Sequence, residues 1–99
     1  MQAEISYDLV MQDDMPFVEG TYRLPGGTWQ VFIFSRHFGP PVEKPQLKFG
    51  AWESGVTGVF VHFPQSGRLN KAVVEQVLSE ASGVEKWTEV RGPDSMQLR

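Results

Sequence analysis

The residues best suited to chemistry in this chain are two histidines, an adjacent pair of aspartates and a scatter of serines. His62 stands foremost, inside residues 57–63 (TGVFVHF) and close to Phe60 and Phe63. Aromatic neighbours desolvate an imidazole and favour its neutral form. To act as a base it needs a carboxylate partner and access to a substrate, and no carboxylate stands at a fixed spacing from it. The expected role of His62 is therefore a hydrogen-bonded histidine at the border of a core or interface, and it is only a weak catalytic candidate. His37 follows Arg36 where the chain enters a proline-rich stretch (HFGPPVEKP). A loop histidine beside an arginine suits an anion contact or simple solvation.

The two histidines are too far apart in sequence, and too poor in nearby carboxylates, to resemble a metal-ligand set. The chain has no cysteine, which removes disulfides and thiolate ligands. Asp13 and Asp14 are neighbours, so their carboxylates diverge, and they sit in a turn-like segment. No serine occupies a Gly-x-Ser-x-Gly elbow, and the glycines match neither a phosphate-cradling loop nor a dinucleotide fingerprint. No cofactor and no metal are expected.

The elements that position these residues follow from periodicity. Residues 4–11 alternate, with Ile5, Tyr7, Leu9 and Met11 on one side, as in a half-buried strand. Residues 18–24 alternate likewise, and Pro25-Gly26-Gly27 is a turn that joins them to residues 28–36. Strand three (TWQVFIFSR) and strand five (TGVFVHF) are apolar on both faces, which places them centrally. Residues 46–52 read as a strand between them, with a turn at Glu53-Ser54-Gly55. Leu69, Val73, Val77 and Ala81 form a helical stripe, widened by Val74 and Leu78, over residues 69–82. Ser66 or Asn70 supplies the N-cap and Gly83 the left-handed C-cap. Residues 85–91 form a last strand. The predicted fold is α+β: a mainly antiparallel, strongly twisted sheet of five to six strands, ordered β-β-β-β-β-α-β, with one helix on one face. Residues 1–91 make a single domain and residues 92–99 a flexible tail.

One helix of that length spans about 20 Å and shields one side of a small sheet. The aliphatic residues of strands three and five (Val31, Ile33, Val59, Val61) match the helix stripe in size, so the helix is expected there. The opposite side would then gather Phe32, Phe34, Phe60 and His62, with Trp52 and Arg36 beside them. Such an apolar patch exceeds what monomers usually expose. A second subunit, a curled sheet enclosing an aromatic pocket, or the proline-rich loop could cover it. The first is the expectation, as a homodimer or higher homo-oligomer.

Composition narrows the classes further. The chain has 99 residues, 40% hydrophobic, and a net charge of −3. Its five leading acids (Glu4, Asp8, Asp13, Asp14, Glu19) all precede the first basic residue, Arg23. No basic stripe for nucleic acid is present. The first residues alternate and so do not read as a leader, and no apolar run approaches the roughly 18 residues of a membrane span. A soluble, cytoplasmic protein is expected, with no membrane or nucleic-acid partner. The leading functional expectation is a non-enzymatic interaction module that self-associates through the aromatic face. A second is a small enzyme or small-molecule binder that takes an apolar or aromatic ligand in a pocket with His62 as base and Arg36 as anion contact. A third is an inhibitor or antitoxin-like protein that presents its acidic N-terminal hairpin to a basic partner.

Overall fold

The structure, a computed structural model, describes residues 3–9, 17–36, 44–53, 55–63 and 69–92, with the side chains of Leu9, Phe17, Arg36 and Phe63 excepted. Six strands and one helix follow in the order β1 (Ala3–Leu9), β2 (Phe17–Arg23), β3 (Gln30–Arg36), β4 (Gln46–Ala51), β5 (Thr57–Phe63), α1 (Lys71–Ser82) and β6 (Trp87–Glu89). All six strands share one sheet in the order β4-β5-β3-β2-β1-β6. The α+β class holds, but the sheet is mixed where a mainly antiparallel one is predicted. The pairs β1·β2, β2·β3 and β4·β5 are antiparallel, while β3·β5 and β1·β6 are parallel.

Chain order explains the antiparallel pairs and hides the parallel ones. The turn after Leu24, closed by the Gly27 N–H on the Leu24 carbonyl at 2.9 Å, makes β2 and β3 neighbours. Strand β5 then slots between β3 and β4. Gly58 admits it there, because a Cβ at that position would strike the backbone of Val31. The helix carries the chain from β5 back across the sheet to β6, which lies parallel to β1. Such a crossover is right-handed in nearly all sheets.

The helix begins where Asn70 caps it, its side-chain oxygen accepting from the Val73 N–H at 3.0 Å. It ends at Gly83, whose φ of 79° places it in the left-handed region and whose N–H donates to the Ser79 carbonyl at 2.8 Å. Val74, Val77 and Leu78 are its buried residues, whereas Ala81 at the end of the stripe is exposed.

The core under the helix gathers Ile5, Val18, Tyr22, Phe32, Phe34, Val59 and Val61 from the sheet, with Leu69 from the segment before the helix and Trp87 from β6. This corrects the expected division of faces. Parallel pairing sets Phe32 beside Val59 and Phe34 beside Val61, so the phenylalanines of β3 and the valines of β5 lie on one side. Both phenylalanines are fully buried. Size matching misjudged the arrangement because a sheet packs large beside small. Gly20, opposite Phe32 in the ladder, leaves the ring its space: a Cβ there would stand 2.8 Å from the Phe32 ring tip. Phe32 in turn meets Tyr7 and Phe34 edge-on, with centroids 5.8 and 5.9 Å apart.

The other side of the sheet is mixed. Over β1 and β2 it carries Glu4, Ser6, Thr21 and Arg23. The chain after β6 reaches it too, where the Gly92 N–H donates to Ser6 Oγ at 2.9 Å. Arg23 pairs with Glu4 and lies 4.9 Å over the Trp29 ring. Over β3 and β5 it carries Val31, Ile33, Phe60 and His62, of which Val31 is buried and the others half-buried.

Candidate protein-association site

The sequence places four apolar or polarisable residues near one another that the structure separates. Phe32 and Phe34 belong to the enclosed core and cannot form an outer surface together with Phe60. Phe60 and His62 do share the outer face, rings tilted at 54° with centroids 4.9 Å apart. Trp52, half-buried, joins Phe60 beside a shallow depression of about 180 Å³, whose other lining residues are Lys48, Phe49, Gly50 and Ala51. His62 does not line that depression. Arg36 closes β3, and its side chain lies outside the described residues. His37, Asp13, Asp14 and the Pro-rich residues 38–43 also lie outside them.

What sequence reasoning missed is β4. In outline it reads as an ordinary alternating strand, yet it is the sheet's edge, and its residues are exposed apart from Leu47. Phe49 is 68% exposed, the one large hydrophobic so exposed among the described residues. Its side chain points to the helix side, as Leu47 does, but α1 sits too far inward to cover it. A cavity of about 120 Å³ remains there between β4 and the end of the helix, lined by Leu47, Phe49, Val59, Leu78 and Ala81 among others.

Among the described residues, the outer backbone of β4 is equally uncovered. The Trp52 N–H donates to the Val56 carbonyl at 2.8 Å, opening the ladder to β5. Antiparallel ladders alternate between bonded and non-bonded pairs, and the register runs unbroken from Ala51↔Thr57 to Gln46↔His62. Gln46, Lys48 and Gly50 therefore spend their N–H and C=O groups on β5. Leu47, Phe49 and Ala51 direct theirs outward, and no described strand meets them.

A second polar cluster joins α1 to the far end of the sheet. Tyr7 Oη donates to Glu75 Oε2 at 2.8 Å. Lys71 Nζ lies 5.0 Å over the Tyr7 ring and donates to both carboxylate oxygens of Glu89, at 3.0 and 3.1 Å. Burial pushes the Tyr7 phenol far above its ordinary range, and the hydrogen bond to Glu75 and the charges of Glu75 and Glu89 push it further. A phenol so held is a donor to Glu75, not a base. The cluster satisfies its own groups and reads as a clamp between β1, α1 and β6. Among the described residues, no set of three or more His, Asp or Glu side chains gathers to hold a metal ion, and no helix is long and apolar enough to cross a membrane.

The site thus defines a class, a small α+β domain in which, among the described residues, the edge strand β4 has no outer partner and is flanked by apolar depressions. No family model, curated protein or solved structure matches the chain, so the reading of its role rests on this geometry.

Proposed function

We propose that this protein is a non-enzymatic interaction module whose binding element is the outer edge of β4, working by strand addition. The observation that carries this is the coincidence, on one strand, of three outward-facing backbone pairs with the 68% exposed Phe49. Unpaired edges are templates for another strand, and proteins that do not use them normally shorten, bend or cover them. In strand addition, main-chain hydrogen bonds give affinity and alternate side chains give specificity. Here the two depressions beside β4 would receive those side chains, one near Phe60 and Trp52, the other near Leu47 and Leu78. This relocates the expected association surface from the aromatic face to the edge beside it, with Phe60 and Trp52 retained and Phe32 and Phe34 removed.

The test is selection of a phage-displayed library of random heptapeptides on the wild-type protein, immobilised sparsely. Extended sequences with alternating apolar positions should be enriched. Ala51→Pro deletes one outward donor at a position where an edge strand tolerates proline, and Phe49→Glu puts a charge on the apolar contact. In dilute solution both variants should keep the wild-type melting temperature, and both should lose at least tenfold in peptide affinity. Peptides that bind all three proteins equally would refute the reading.

A further inference from the structure

We infer that the strand which completes this edge is β4 of a second copy of the chain, paired antiparallel about a two-fold axis at Phe49. The inference rests on the strand-addition reading and adds the partner and the register.

Three features of β4 fit pairing of two copies about Phe49. The first is the hydrogen-bonding phase. The outward-facing residues are Leu47, Phe49 and Ala51, and an axis at Phe49 sets Leu47 opposite Ala51 of the other copy and Phe49 opposite Phe49. All three outward positions become bonded pairs, with about six inter-chain hydrogen bonds, two per pair. Shifting the strand by two residues either way forfeits at least one of these pairs.

The second feature is what bounds the window. The next outward position before Leu47 is Pro45, which has no N–H to donate. After Ala51 the chain turns, with the Gly55 N–H closing on the Trp52 carbonyl at 2.9 Å. The usable edge thus has Phe49 at its midpoint, so pairing of two copies about Phe49 engages the whole window.

The third feature is charge and shape on the outer face. A positive residue on an edge strand ordinarily discourages self-pairing, because like charges meet. In this register Lys48 lies opposite Gly50 of the other copy, not opposite its own counterpart. Gly50 has open space around its Cα, with nothing within 4 Å of where a Cβ would stand, so the Lys48 stem can lie across it. On the helix side, the two Phe49 rings meet as a cross-strand aromatic pair, closing the apolar gap that α1 leaves.

The experiment exploits the absence of cysteine from the chain. Lys48 and Gly50 of the other copy form a non-bonded pair, whose Cα separation of about 4.5 Å falls in the disulfide range. Lys48→Cys and Gly50→Cys, both at exposed positions, are oxidised separately and as an equimolar mixture. The mixture should yield several-fold more cross-linked dimer than either variant alone. Efficient cross-linking of Gly50→Cys alone, or of Lys48→Cys alone, would overturn the register. Sedimentation of the unmodified protein supplies a reading independent of cysteine placement: dimer expected, with Phe49→Glu weakening self-association at least tenfold. A wild-type monomer at millimolar concentration would overturn the second copy as partner, while peptide selection by the same protein would leave the strand-addition reading standing. Slow exchange of the Leu47, Phe49 and Ala51 amides in a monomer would show that the chain covers its own edge, and would overturn both.

Discussion

At one end of the sheet, β6 contributes three residues, buries Trp87 and ties itself to the helix. At the other, β4 runs for six residues with no described strand on its outer side and a phenylalanine turned to solvent. The Trp87 indole donates to Ser79 Oγ at 2.8 Å and meets Tyr22 edge-on at 6.0 Å. Beside it, Lys71 bridges to Glu89. That edge is short, charged and held down, which are the usual devices against strand pairing. The β4 edge carries Lys48 within the strand and Pro45 just before it, and is longer and more exposed. The contrast teaches that edge protection in this molecule is local: among the described residues, the helix lies over the middle of the sheet and ties down β6, while β4 keeps only Leu47 half-buried.

The sharpest way to break the comparison is to open the protected end. Trp87→Ala removes a buried indole and its bond to Ser79, and should cost about 3–5 kcal/mol of stability, read by urea denaturation. The β4 end should behave oppositely. Phe49→Glu leaves the unfolding midpoint of dilute protein nearly unchanged, because the ring buries little within one chain, yet costs about 1.4 kcal/mol or more of association, at least tenfold in Kd. If Phe49→Glu unfolds the monomer, the ring is part of the core and the contrast fails.

Between these lies the clamp. Tyr7→Phe deletes the hydrogen bond to Glu75 and should cost about 1–2 kcal/mol. It should also change the alkaline limb of the stability curve. The folded protein keeps the Tyr7 proton well above the ordinary tyrosine value of 10.0, whereas the unfolded chain loses it near that value. The stabilisation is thus complete below about pH 10 and declines as the pH rises further. Tyr7→Phe should flatten that decline, leaving the share of Tyr22, whose phenol burial also pushes up; an unchanged slope in denaturation between pH 9 and 11 would count against it. The smallest effect is expected from Glu89→Gln. Its pair with Lys71 is about half exposed, so the loss should stay under about 1 kcal/mol and vanish in high salt.

Much of the fold was legible residue by residue. Strand β5 falls on the residues its pattern marks, the helix ends at Gly83 for the reason glycine permits, and Asn70 was one of two N-cap candidates. The alternation within β3 and β5 follows their sequence pattern, with Phe32 opposite Ile33 and Phe60 opposite Val61. Which faces would be joined was not legible, and the candidate surface of Phe32, Phe34, Phe60 and His62 divided accordingly.

The reason lies in what each kind of information contains. Periodicity belongs to a single segment, so the chain alone determined that β3 and β5 are apolar on both sides, that one helix exists, and where it is capped. Whether Phe32 stands beside Val59 or Phe60 depends on pairing between segments 27 residues apart, and on whether β5 or β4 enters beside β3. Only the assembled sheet decided that, through Gly58 making room against Val31 and Gly20 making room for Phe32. The same choice left β4 outermost, because a strand's place in a sheet is set by its neighbours and not by its own residues.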